Sequence, residues 1–242
     1  MTPLISVSKL HKWYGGVHAL KGVSLDIQRG EVIGLVGDNG AGKSTLIKIL
    51  SGVHGADSGE IRINGQCVAI PSTKAAMQLG IETIHQDSSM VPSMSIARNL
   101  FVGREPLRFA VGGMGIIDHE RMRSESIQAL SEVDLHLRSP DALLAELSGG
   151  QRQGVAIARA MHFKSKVLIL DEPTNHLSVK ETTKVVNFVK GLPAQQLTGI
   201  FISHNLHHVF ESCGRVVAMA RGDIVLDKPI SQTSMTEVAD VL

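Results

Sequence analysis

Apolar residues gather in short unbroken runs at two places in the chain, Val32-Ile33-Gly34-Leu35-Val36 and Val167-Leu168-Ile169-Leu170, each bounded by polar or glycine-rich segments. Short runs of this kind read as strands covered on both faces, which is the pattern of a parallel sheet. Residues 150–162, 179–192 and 205–212 place apolar positions at helical spacing, and further strands are expected at 199–202 and 216–220. Strands alternating with helices predict a parallel α/β core. Upstream the pattern changes: residues 4–12 and 17–28 are β-rich, and Asn64-Gly65 sits between two short alternating runs, a hairpin signal. An antiparallel β subdomain is therefore expected beside the core. From 93 to 147 the pattern becomes helical, with apolar residues at helical spacing in 95–101 and 118–133 and breaks at Gly112-Gly113 and Ser139-Pro140. This stretch is read as a helical subdomain, 93–147, inserted into a single domain spanning 1–242.

Composition narrows the classes. A chain of 242 residues can bury a sizeable core, and 24 basic against 23 acidic residues leave a formal charge of +1, so no global field draws it to nucleic acid. No nucleic-acid partner is expected. Cys67 and Cys213 are the only thiols and lie far apart, which offers no disulfide framework and suits a reducing compartment. The opening Met1-Thr2-Pro3-Leu4-Ile5 lacks the basic-then-apolar order of a secretory signal. No apolar run approaches the roughly 18 residues of a membrane span, so a membrane role has to pass through a partner.

The candidate chemistry starts directly after the first apolar run. Gly37-Asp38-Asn39-Gly40-Ala41-Gly42-Lys43-Ser44 is a full G-x-x-x-x-G-K-S string, preceded by a strand pattern and followed by a helix pattern. Backbone N–H groups of such a turn converge on phosphate at the positive end of the helix, Lys43 reaches the terminal phosphates, and Ser44 ligates Mg²⁺. Thr45 completes the expected nucleotide-binding set. The fold class that follows is α/β, a P-loop NTPase core with a parallel sheet, a flanking antiparallel β subdomain and an inserted helical subdomain. At the end of the second apolar run stand Asp171 and Glu172. Asp171 can hold Mg²⁺, directly or through water, while Glu172 can orient or deprotonate an attacking water. Leu147-Ser148-Gly149-Gly150-Gln151 opens another helix and forms a second candidate anion site, from its N–H groups and the Ser148 hydroxyl.

The order of these strings, phosphate loop, Leu-Ser-Gly-Gly-Gln, Leu-Asp-Glu-Pro-Thr, resembles the ATP-binding-cassette ATPases of membrane transporters across almost the whole chain. That resemblance implies further roles. Tyr14 matches the aromatic position on which adenine stacks, with Trp13 as a rival. Gln86 matches the glutamine that approaches Mg²⁺ and the attacking water, and His204 the histidine that contacts the γ-phosphate. Asn175-His176-Leu177-Ser178 falls in the loop that crosses the dimer interface. His207 and His208 stand apart from these roles, although their spacing from His204 imitates a metal site. In this family two cassettes pack head to tail, so Ser148, Gly149, Gly150 and Gln151 of one chain close over ATP held by Lys43 of the other.

Two stretches point to a branch. Gly80-Ile81-Glu82-Thr83-Ile84-His85-Gln86-Asp87 and Asn99-Leu100-Phe101-Val102-Gly103-Arg104-Glu105-Pro106 resemble the monosaccharide importers that take up sugars such as ribose, xylose, galactose or fructose. Many of those proteins fuse two cassettes, whereas a single set of motifs here implies a homodimer, with a heterodimer as the alternative. The resemblance implies two integral membrane permease subunits, an extracytoplasmic sugar-binding protein, and a peripheral place on the cytoplasmic face of the membrane. A rival reading rests on Asp171-Glu172-Pro173-Thr174-Asn175-His176-Leu177, which resembles the soluble ribosome-associated ABC-F ATPases.

Overall fold

The computed structural model describes residues 2–84, 90–111, 114–133, 135–137, 139–175 and 177–242. In chain order the first elements are β1 (Ile5–Tyr14), β2 (Val17–Ile27), β3 (Val32–Val36), α1 (Lys43–Leu50), β4 (Ser58–Ile63), β5 (Gln66–Cys67), α2 (Thr73–Gln78) and β6 (Ile81–Ile84). Then come α3 (Ile96–Phe101), β7 (Leu107–Val111), β8 (Met114–Ile117), α4 (His119–Glu132) and α5 (Gly149–His162). The chain continues with β9 (Val167–Asp171), α6 (Val179–Gly191), β10 (Thr198–Ile202), α7 (Leu206–Ser212), β11 (Arg215–Ala220), β12 (Asp223–Pro229) and α8 (Met235–Asp240). They divide into two compact units, one of 1–86, 165–175 and 179–242, the other of 87–164 and 176–178.

The first unit carries two sheets. Its six-stranded sheet runs β12-β11-β3-β10-β9-β6, with β11, β3, β10, β9 and β6 mutually parallel and β12 added antiparallel to β11. All five residues of β3 and of β10 are buried, as strands in the middle of a covered sheet are. The second sheet, β2-β1-β4-β5, is antiparallel, and its core-facing side chains Ile5, Val7, Leu25, Ile27, Ile61 and Ile63 join one hydrophobic cluster with Leu46, Ile47 and Leu50 of α1. The cluster therefore fixes α1, and with it the loop that precedes α1. At Asn64-Gly65 both φ angles are positive, 52° and 78°, which is the two-residue turn expected there, and β4 and β5 pair across it.

In the second unit α3, α4 and α5 pack on one another through Phe101, Met122, Ala129, Leu130, Val155 and Ala158. The helical expectation holds for α3 and α4 but fails between them, because Leu107–Val111 and Met114–Ile117 form the antiparallel pair β7–β8. Leu107 and Phe109 alternate with polar Arg108, a period of two that glycine breaks had masked. The unit is also wider than 93–147, since it takes in α5.

Candidate nucleotide site

Strand β3 ends at Val36, and α1 begins at Lys43. The turn between them depends on glycine at two points. Gly37 has φ 151°, and a Cβ there would meet the Met219 carbonyl oxygen at 2.3 Å; Gly42 has φ 108°, with the Ala19 carbonyl oxygen at 2.9 Å from such a Cβ. A side chain at either place would collide with backbone, so the sequence has to be glycine for the loop to close on its own strands. Gly42 also serves as the N-cap of α1 and gives no side-chain hydrogen bond to the helix. The first turn of α1 is thus left without a side-chain cap, at the end where the helix dipole is positive.

Residues 38–45, Val17, His18 and Ala19 of β2, and Arg221 line a cavity of about 420 Å³. Lys43 lies back along the loop, its Nζ donating to the Gly37 carbonyl at 2.5 Å and to the Asp38 carbonyl at 3.0 Å. Burial lowers the Lys43 pKa below the usual lysine value, while Glu172, Asp38 and Asp171 pull it back upward. Those carboxylates therefore sit within electrostatic reach of the loop, although Asp171 and Glu172 are more than a hundred residues away in sequence. The parallel register explains it: β9 pairs with β10 and β10 with β3, so the C-terminal ends of three strands meet where the loop begins.

Glu172 is held in an unusual way. Its φ is 51°, a left-handed conformation that costs a residue other than glycine about 1 kcal/mol or more. Its N–H donates to the Ile202 carbonyl at 3.1 Å, and its carbonyl accepts from the Asn175 N–H at 3.2 Å, so the turn is tied at both ends. The carboxylate Oε2 lies 2.9 Å from His204 Nδ1; the Glu172 side chain is 15% exposed and that of His204 is 69% exposed. With Glu172 ionised the bond needs a proton on Nδ1, which leaves Nε2 on the open side of the ring. Asp171 ends β9, opposite Ile202.

The oxygen donors Ser44 and Asp171 suit a hard cation such as Mg²⁺. Ser44 stands on the first turn of α1, and Asp171 acts electrostatically on the neighbouring Lys43. Gln86 and His176 lie outside the described residues.

The two aromatic candidates lie apart from the cavity lining. Tyr14 is half-exposed and sets its ring edge-on to His54 at 5.7 Å, and Lys12 lies over it; neither Tyr14 nor Trp13 lines the cavity. Trp13 instead stacks flat on His18, with centroids 4.1 Å apart. His18 and Arg221, which no sequence motif marks, do line it. A two-residue Gly15-Gly16 turn sets Trp13 opposite His18, and Arg221-Gly222 closes the β11–β12 hairpin.

In the other unit Ser148 caps α5. Its Oγ accepts from the Gln151 N–H at 3.2 Å, and Gln151 Oε1 accepts from the Ser148 N–H at 2.9 Å, a reciprocal capping box. Gly149 and Gly150 form the first turn that this pair closes.

Comparison with known proteins bears on what these parts belong to. The family model described as ABC transporter matches residues 20–175. The chain belongs to that family. Among its relatives, the xylose/arabinose import ATP-binding protein XylG of Sulfolobus acidocaldarius is 39% identical over the whole chain and 94% of its own length. The fructose import ATP-binding protein FrcA of Rhizobium meliloti is 42% identical over 88% of the chain and 84% of its own. The ribose import ATP-binding protein RbsA of Chromobacterium violaceum is 38% identical over 98% of the chain, which spans 46% of that relative's length. Of solved cassettes, the ADP conformation of MJ1267, an ATP-binding cassette of an ABC transporter, superposes with a TM-score of 0.82 at 26% identity, covering 100% of this chain and 95% of that one. A dimeric bacterial cassette, MJ0796, gives 0.77 at 23% identity over 93% and 98%, a likeness of fold. These relatives are import proteins by name, and none of the three is a translation factor.

Proposed function

We propose that this chain is the ATP-binding and hydrolysing subunit that energises import of a monosaccharide through a membrane permease. The observation that carries the reading is the Glu172–His204 pair at the strand ends beside the phosphate loop, one partner strained and largely buried, the other open to solvent. Strain of this kind persists where surrounding structure holds it, and it gathers at reacting centres. The names of the xylose/arabinose, fructose and ribose relatives support the sugar.

In this reading the loop from Gly37 to Thr45 cradles the phosphates of ATP, and Lys43 exchanges its carbonyl partners for phosphate oxygens. Tyr14 stacks on adenine. Ser44, Asp171 and Gln86 would hold Mg²⁺, which would supply neutralisation of phosphate charge when bound. Glu172 accepts a hydrogen bond from the attacking water and takes its proton, while His204 fixes the carboxylate and meets the γ-phosphate. Ser148, Gly149, Gly150 and Gln151 complete the site of a second copy in a twofold dimer, so that ATP closes the pair and hydrolysis opens it. Two permease subunits bind the closed and open forms differently at the cytoplasmic face of the membrane, and a sugar-binding protein delivers substrate outside. Among the described residues no helix is long and apolar enough to cross a membrane, so that role needs such a partner.

The test is uptake. In vesicles holding the permease that copurifies with the chain, with binding protein outside and ATP inside, labelled xylose, ribose or fructose should accumulate, and Glu172→Gln should lower uptake and single-turnover hydrolysis at least a hundredfold with ATP binding retained. Full hydrolysis by Glu172→Gln would remove Glu172 from the chemical step. If no permease copurifies and the chain sediments with ribosomes in a nucleotide-dependent way, the importer reading fails.

A further inference from the structure

The cavity beside the phosphate loop has a cation that the family motifs do not supply. Arg221 lines it, together with His18 and residues 38–45. The residue occupies the β11–β12 turn with φ 50°, followed by Gly222 at φ 91°. An arginine gains nothing from that backbone, where glycine or asparagine sits at ease. Two hydrogen bonds hold the turn against the site: the Gly222 N–H donates to the Ala41 carbonyl of the phosphate loop, and the Gly222 carbonyl accepts from the Lys21 N–H of β2, both at 2.9 Å. Whatever stands at 221 is therefore carried rigidly with the loop.

Charge decides what an arginine does there. Three carboxylates, Asp38, Asp171 and Glu172, act electrostatically on Lys43, whose Nζ is already engaged by the Gly37 and Asp38 carbonyls. Of these, Asp38 lines the cavity itself, so a polyphosphate entering it meets fixed negative charge beside the one lysine of the loop. Arg221 is exposed, and among the described residues no side chain forms an ion pair with it, whereas Arg215, Arg62 and Arg121 are each paired.

We propose that Arg221 is a nucleotide-binding residue, whose guanidinium contacts the phosphates of a nucleoside di- or triphosphate from the wall of the cavity. The proposal rests on the reading that this cavity holds ATP. It makes the β11–β12 turn a part of the site and makes nucleotide affinity depend on salt through a contact outside the loop.

Calorimetry on the full chain with ATP, ADP and adenosine tests it, using Arg221→Asn, which suits the left-handed turn, and Arg221→Lys, which keeps the charge. Arg221→Asn should weaken ATP and ADP by about three- to tenfold at low salt, leave adenosine unchanged, and lose most of the difference at high salt. Arg221→Lys should restore about half or more of the lost affinity on a logarithmic scale. Thermal melting of Arg221→Asn should be unchanged or raised, which separates lost binding from lost fold. Equal ATP affinity of wild type and Arg221→Asn at low salt, with Lys43→Ala still weakening ATP, overturns this inference and leaves the nucleotide site standing. Failure of wild-type chain and Lys43→Ala alike to bind any of the three ligands overturns both.

Discussion

Two helices of this protein begin at glycine-rich strings that look equally suited to an anion, and they begin differently. At α1 the N-cap is Gly42, left-handed and without a side-chain bond to the helix; at α5 it is Ser148, extended, in a closed capping box with Gln151. Charge follows the same division. The first turn of α1 starts with Lys43, half-buried and drawn back onto the Gly37 and Asp38 carbonyls, whereas the first turn of α5 holds no charged residue before Arg152. A helix start that its own side chain has capped is stable without a ligand, and one capped by glycine leaves its donors to whatever anion arrives. The contrast supports the proposal that α1 binds the phosphates of a nucleotide and that α5 acts on one held by another copy.

Changes at the two starts should therefore separate. Lys43→Ala should weaken ATP binding by roughly 2 kcal/mol, because it removes a charge-assisted hydrogen bond to phosphate, while Ser148→Ala leaves the affinity of the separate chain as it was. Titration of monomeric protein with ATP reads both; an equal loss in the two variants would erase the distinction between the two helix starts. Giving α1 the cap that α5 has is the sharper intrusion: Gly42→Ser places a Cβ against the Ala19 carbonyl in left-handed backbone, so stability should fall by about 1–3 kcal/mol instead of rising. Chemical denaturation measures it, and a stabilised variant would mean that the glycine serves no steric need.

Ser148→Ala should cost about 1 kcal/mol, seen as earlier melting with unchanged monomer ATP affinity. Smallest is a pH effect at Lys43. Burial lowers its folded-state pKa below 10.5, so between that lowered value and 10.5 the unfolded chain binds more protons and stability rises with pH. Lys43→Met should consequently stabilise the ligand-free chain near neutrality by less than about 1 kcal/mol, the half-exposed charge being screened, and the gain should shrink as pH climbs through that window. Melting curves from pH 7 to 10 show the trend; a gain that grows with pH contradicts it.

Much of this was legible in the residues. The loop, the acidic pair at the end of β9, the Ser148 cap and the Asn64-Gly65 turn are local facts, because glycine, proline, serine and short apolar runs limit the backbone within a few residues. The hairpin β7–β8 was not legible, since its alternation is short and interrupted by glycines, and two-stranded pairs are stabilised by cross-strand contacts that no single strand displays. Tyr14 shows the same limit from the other side: its place at the end of β1 follows from the pattern, but its ring rests against His54, forty residues on.

What the sequence by itself determined is the set of chemical parts and the elements that carry them, because each depends on the conformational limits of neighbouring residues. Only the tertiary structure decided which parts meet. Parallel pairing of β3, β10 and β9 brings Gly37, His204 and Glu172 to one end of a sheet, and burial then sets the Lys43 charge against three carboxylates. The left-handed turn at Glu172 and the placing of His18 and Arg221 at the cavity belong to that same level. They come from hydrogen bonds and contacts between segments far apart in the chain, and a residue's own identity does not record who its distant neighbours are.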